Sequence, residues 1–215
     1  MKLSQLIETY LMVLVHPFRI HQQFRFKLPL PHSDGHLFQP LTLAESLGIS
    51  WIFSVLRGLF KIIIMNFFLQ SFIQMQSEKF PFLEELFATS GVSTYYFLMF
   101  SAALDIIFFP IGAIIMTEFW AWVIRKYAGW LNPELPKEEI ADQITTHALS
   151  SNVFMIIPFI GDLIQTAIYY FLLYAGIRSN MAASRSLTWV ILLTPTLFFF
   201  MFISLFSVMI FYLVS

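Results

Sequence analysis

The sequence predicts an all-α, polytopic membrane bundle with about five membrane segments, the third and fourth forming a short hairpin. Three observations point there. Of 215 residues, 58% are hydrophobic and only 12% charged, whereas a soluble domain carries about a quarter charged residues. Mean hydropathy is +0.75, more apolar surface than a chain of this length can hide in a core. The apolar residues also fall in runs long enough to cross a bilayer core, which takes ~20 residues.

At the N-terminus, Leu3, Leu6, Ile7, Tyr10, Leu11 and Leu14 recur at helical spacing opposite Ser4, Gln5, Glu8 and Thr9. This is an amphipathic helix, lying either on the membrane or on the protein's own cytoplasmic face. Glu8 interrupts the apolar run, so the segment does not read as a cleaved signal peptide. Pro17 ends the helix. From His16 to Thr42, Pro29, Pro31 and Pro40 exclude one long helix and predict an irregular cytoplasmic segment. Residues 1–42 thus precede a transmembrane domain at 43–215.

The first span is expected over Leu47–Ile73, followed by a charged loop from Gln74 to Ser90. A second span runs from Tyr95 to about Val123, and the last from Leu187 to Val214. Between them, the apolar stretch Thr145–Ile177 is interrupted by Pro158-Phe159-Ile160-Gly161-Asp162. It is either one kinked span or two short arms. Basic residues in short loops favour the cytoplasm. Lys2, Arg19, Arg25 and Lys27 precede the first span, Lys79 alone lies in the first loop, and Arg125, Lys126 and Lys137 fill the second. Arg178 and Arg185 precede the last span. Only a hairpin keeps those last two arginines inside, with the N-terminus cytoplasmic and the C-terminus outside. Full and re-entrant hairpins give the same sidedness.

Pro158-Phe159-Ile160-Gly161 resembles the Pro-x-x-Gly turn between the third and fourth spans of the Yip-domain family, membrane proteins that interact with Ypt/Rab proteins. Tyr174-Ala175-Gly176-Ile177-Arg178, followed by Ser184-Arg185-Ser186, is similar to that family's junction between the fourth and fifth spans. Pro195 in the last span and His16-Pro17-Phe18 near the start fit as well. The similarity covers most of the chain from Leu41 onward. It implies a Yip-like transmembrane domain with the topology above. The long acidic N-terminal region of eukaryotic members does not occur, so the resemblance implies a bacterial member in the inner membrane.

Arg57 and Lys61 lie four apart on one helix face, and Asp105 is at similar depth if the first two spans are antiparallel. Charges there are costly unless paired. The trio reads either as a structural ion pair or as an ion, proton or anionic-lipid site, and it underlies the alternative of a small transporter or channel. Asp162 at the hairpin turn is expected to cap the following helix. Glu118 and His147 are expected at the interface, as are Trp51, Trp120, Trp122 and Trp130. Pro110 and Gly112 form a possible hinge, and Ser101, Ala102 and Ala103 allow close helix packing. His16, His21, His32 and His36 are near in sequence, but Pro31 and Gly35 argue against the helical spacing a metal would use.

With no cysteine and no recognisable catalytic motif, no enzyme, metal or cofactor is expected. A net charge of −1 gives no basic field for nucleic acid. The expected partners are membrane lipids, other membrane proteins or further copies of the chain. The expected role is non-enzymatic organisation of membrane proteins or lipids.

Overall fold

A computed structural model describes residues 3–26, 39–77, 81–134 and 136–214. The order is α1 (Leu3–Val15), α2 (Pro17–Phe26), α3 (Leu43–Ser77), α4 (Pro81–Leu131), α5 (Lys137–Ala148), a 3-10 segment (Leu149–Ile156), α6 (Gly161–Asn180) and α7 (Arg185–Val214). No strand occurs among the described residues. Three helices hold stretches long and apolar enough to cross a membrane: Leu43–Phe68, Met99–Leu131 and Arg185–Met209.

Two stretches expected to be irregular are helical in part, at 17–26 and over most of 74–90; residues 27–38, with Pro29 and Pro31, lie outside the described residues. Within 16–42, Pro17 both ends α1 and opens α2, because proline is well suited to the first helical position, where no intrahelical N–H bond is required. The expected loop from Gln74 to Ser90 is largely helix, with α3 running to Ser77 and α4 starting at Pro81. Its acidic residues do not oppose helix formation; glutamate is a good helix former.

The helices α3 and α4 pack antiparallel. Gly58 lies against Ile106 and Ala102, and an added Cβ would come within 2.7 Å of Ile106 Cδ1. Small residues thus set the crossing, with Ala102 itself buried. On α3, Ser46, Ser50 and Ser54 precede Gly58 at four-residue spacing and are all buried. Ser46 Oγ donates to Thr146 O at 2.8 Å and Ser50 Oγ to Leu149 O at 3.2 Å. From α1, Tyr10 Oη donates to Leu149 O at 2.8 Å. The i+4 bonding pattern fails where α5 passes into the 3-10 segment, and these hydroxyls serve the carbonyls released there.

At Ile157–Ile160 the chain reverses. Phe159 takes a left-handed φ of 64°. A Cβ on Gly161 would meet Phe154 O at 2.6 Å, so only glycine fits. Asn152 then faces Gln165 (3.0 Å), and Ile144 faces Gly176, so α5 and the 3-10 segment run antiparallel to α6. The α2 helix packs on α6, where Phe18 meets Phe171 and Tyr174 edge-on. Val13 and Ile20 join Trp120, Ile124, Ile144, Leu172, Leu173, Ile177 and Ile191 in one core. Of α1, Tyr10 and Val13 are buried while Ile7, Leu11 and Val15 remain exposed. The helix therefore packs on the protein's own bundle and also keeps an apolar outer face.

Candidate functional site

Arg57 and Lys61 project from the same face of α3, about 21 and 27 Å along the helix from Leu43 at 1.5 Å per residue. They do not share Asp105. Lys61 Nζ lies 3.0 Å from Asp105 Oδ2 on α4, while Arg57 Nη2 lies 3.1 Å from Asp162 Oδ2 at the start of α6. The expected three-residue cluster is therefore two separate bridges. Asp162 does not cap α6: Ile160 occupies the cap position and no side chain bonds there. The turn brings the carboxylate beside α3, where it makes a charge-assisted contact with the Arg57 guanidinium.

Beside these pairs lies a cavity of about 230 Å³ between α3 and the turn, lined among others by Arg57, Lys61, Met155, Pro158, Phe159 and Asp162. Phe68 meets Phe159 edge-on at 5.7 Å, so the tip of the turn reaches well along α3. Residues Pro158, Gly161 and Asp162 thus form one wall of a charged site in addition to making a turn.

The Pro110 and Gly112 pair does not interrupt α4, which continues as helix through both. Proline lacks the N–H that would bond the Ile106 carbonyl four residues earlier. Trp51 Nε1 donates to that carbonyl at 3.0 Å. A bond from the neighbouring helix therefore replaces the missing one, and Trp51 is more than an interfacial anchor. Trp120 is no interfacial anchor at all, because it is buried in the core. Glu118 pairs with Arg125 at 3.4 Å, and Arg125 also approaches Asp142 at 3.9 Å.

A second polar centre lies where α2, α5 and α6 meet. His21 and His147 are fully buried, with ring centroids 5.2 Å apart. His147 is therefore interior, because the antiparallel pairing of α5 with α6 turns it inward beneath α2. Asn180 Nδ2 lies 3.0 Å from His21 Nδ1, and the Leu41 N–H donates to His147 Nε2 at 3.4 Å. Because His147 Nε2 accepts, the neutral ring carries its proton on Nδ1, and neither that atom nor His21 Nε2 has a hydrogen-bond partner among the described residues. Phe24 stacks on His147 at 5.1 Å. Burial pushes His21 down to about 4 and His147 well below the usual imidazole range, the latter further lowered by His21 itself. Both rings are thus held neutral. His32 and His36 lie outside the described residues, and no group of three metal-ligating side chains occurs among the described ones.

Sequence reasoning finds the charges of α3 and the turn but misses Arg57–Asp162, the histidine pair and the serine stripe. The stripe leaves a legible signal, small residues every four positions from Ser46 to Gly58. The histidine pair leaves none, since its members are far apart in sequence. No protein-family model, curated protein or solved structure matches the chain.

Proposed function

We propose that the chain is a non-enzymatic integral membrane protein of the Yip-domain type that organises membrane proteins or lipids. Its proposed location is a bacterial inner membrane, with the N-terminus inside and the C-terminus outside. In this reading α3, α4 and α7 span the bilayer, and the 3-10 segment with α6 forms a membrane hairpin, giving five segments.

The observation that carries the reading is the pairing of the four charges around α3. Each cation is tied to a carboxylate on a different element, Lys61 to α4 and Arg57 to the hairpin turn. Such ties brace a bundle, whereas a carrier needs a charge able to exchange partners along a polar path. The tight Pro158–Gly161 reversal supports the Yip-type hairpin, because the close approach of Phe154 O requires the glycine of that motif. The gathering of Arg25, Arg125 and Arg178 near the ends of α2, α4 and α6 supports the orientation.

The cavity beside both cations favours a second reading, a small transporter. Reconstitution of the full-length protein in liposomes separates the two. The expected result is no ion or solute flux, with specific membrane proteins or lipids co-purifying from native membrane. Robust flux abolished by Asp105→Asn would establish the transporter instead. A reporter near Asn180 should lie inside the cell and one after Ser215 outside.

A further inference from the structure

A second cavity, of about 350 Å³, lies between α4, the 3-10 segment and α6. Phe109, Gly112 and Met116 line it from α4, Asn152 from the 3-10 segment, and Gln165 and Tyr170 from α6, among others. Its lining holds no charged side chain among the described residues. No atom of the described residues stands within 4 Å of where a Cβ on Gly112 would be, so that wall is open. Met116 and Tyr170 are 47% and 40% exposed, and the mouth therefore opens on the outer surface of the bundle.

One polar group sets this cavity apart from an ordinary gap between helices. Asn152 is only 2% exposed. Gln165 Nε2 donates to Asn152 Oδ1 at 3.0 Å and also reaches Ser151 Oγ at 3.4 Å. That bond turns the amide oxygen toward α6 and leaves Asn152 Nδ2 with no acceptor among the described residues. Unlike the Tyr169 hydroxyl, which is sealed within the wall, Nδ2 keeps surface on the cavity. Phe109 to Met116 stand near the middle of the apolar stretch Met99–Leu131. An amide N–H without an acceptor is costly at such a depth, where hydrocarbon offers none.

These features select a ligand. Uncharged walls exclude an ion, and the depth excludes a phosphate, which stays with the headgroups. What remains is a neutral molecule dissolved in hydrocarbon that brings its own hydrogen-bond acceptor. We propose that the cavity binds the carbonyl-bearing head of a neutral, membrane-dissolved lipid. Asn152 Nδ2 donates to the carbonyl oxygen, and the apolar tail leaves past Met116 into the bilayer. A mostly apolar wall with one placed donor is the usual design of a small-molecule site. A quinone ring and a diacylglycerol ester both carry such a carbonyl; the rings of Phe109, Tyr169 and Tyr170 in the wall favour the flat quinone. The assignment rests on α4 spanning the bilayer as proposed above, and gives the lipid-organising role a specific ligand class.

The test uses purified full-length protein in a nonionic detergent and reads binding as a shift in melting temperature during titration. The probes are decylubiquinone, dioctanoylglycerol and decylbenzene, the last having a ring and a tail but no carbonyl. Saturable stabilisation by decylubiquinone is expected, with a weaker effect from dioctanoylglycerol and no saturable one from decylbenzene. Asn152→Leu should weaken apparent affinity for decylubiquinone by about two- to tenfold, as loss of a neutral hydrogen bond implies. Gln143→Leu removes an amide on α5, outside the cavity, and should leave affinity unchanged. Should Asn152→Leu fail to fold, Gly112→Leu takes its place, filling the cavity from α4 with the Asn152–Gln165 pair intact, and should abolish binding. Equal stabilisation by decylbenzene would overturn the proposal as a general apolar effect. Unchanged affinity in Asn152→Leu or Gly112→Leu would overturn the site, and no saturable effect from either carbonyl compound would leave the amide to water and overturn the ligand class. Tighter binding of dioctanoylglycerol than of decylubiquinone would overturn the quinone source and support the ester. A failure of the membrane topology would show separately, in the reporters at Asn180 and after Ser215, without altering binding in detergent.

Discussion

Replacing Asp162 by asparagine removes the partner of Arg57 while keeping the shape of the side chain. At 3.1 Å a unit charge pair in an effective dielectric of ~20 attracts by about 5 kcal/mol. Desolvation offsets part of this, and removing one partner from a fully buried pair typically costs about 3–5 kcal/mol. Here the side chains of Arg57 and Asp162 are 32% and 63% exposed at the surface of the bundle. A lone cation facing lipid near a helix centre costs about 2.5–3.5 kcal/mol on insertion scales, so Asp162→Asn should destabilise by about 2–3 kcal/mol. For a chain of this size that is roughly 5–10 °C in melting temperature, read in detergent micelles by loss of the folded signal. Adding Arg57→Met should recover part of the loss, since no unpaired charge remains. The double-mutant cycle should give a coupling of at least about 1 kcal/mol for Arg57 with Asp162 and a clearly smaller one for Arg57 with Asp105. Equal coupling to both carboxylates, or none to Asp162, would refute the assignment of two separate bridges.

Trp51→Phe leaves the Ile106 carbonyl without its donor and should cost about 1–3 kcal/mol; in Pro110→Ala the backbone supplies its own N–H, so a melt of the double variant should show most of that loss abolished. Stability should fall as pH drops from about 6.5 to about 4, because His21 is held neutral when folded and binds a proton when unfolded. The depression is worth about 3 kcal/mol at 1.36 kcal/mol per pH unit. Melting temperature against pH should show this slope, and His21→Gln should flatten much of it, with His147 supplying the remainder. Gly112→Ala should be neutral or slightly stabilising, since no atom of the described residues lies within 4 Å of the added methyl and alanine favours a helix by up to about 1 kcal/mol. Gly161→Ala should instead lower the melting temperature sharply or prevent folding, because its methyl would strike backbone oxygens.

The long spans were legible because length and hydropathy act locally along the chain. The reversal at Pro158–Gly161 was legible for a similar reason: proline and glycine punctuate a helix whatever surrounds them. Charge partners were not, because Arg57 could reach either Asp105 or Asp162 until the depth of the turn was fixed by packing. The sequence placed His147 at an interface because histidine is polar. In the structure α2 covers it, and α2 is hard to see in the sequence because a proline such as Pro17 marks the end of one helix as readily as the start of the next. The pairing of Trp51 with Ile106 was hidden for a different reason. Proline announces that a carbonyl is orphaned but carries no information about which neighbour supplies the donor.

The serine stripe and the carbonyl bonds explain why a membrane bundle holds so many buried hydroxyls. In lipid, bringing two apolar helix faces together removes no water, so packing and hydrogen bonds must supply the attraction. Small residues at Ser46, Ser50, Ser54 and Gly58 let α3 approach its neighbours closely. Two of the serines then donate to Thr146 and Leu149, where α5 gives way to a 3-10 segment and the regular bonding pattern fails. Tyr10 adds a donor from α1 to the same Leu149 carbonyl. The 3-10 segment is thus held from two sides by side chains of other helices. That is why the N-terminal helix, whose amphipathic pattern fits either the membrane surface or the protein's own face, is bound into the bundle and still keeps Ile7, Leu11 and Val15 on its outer face.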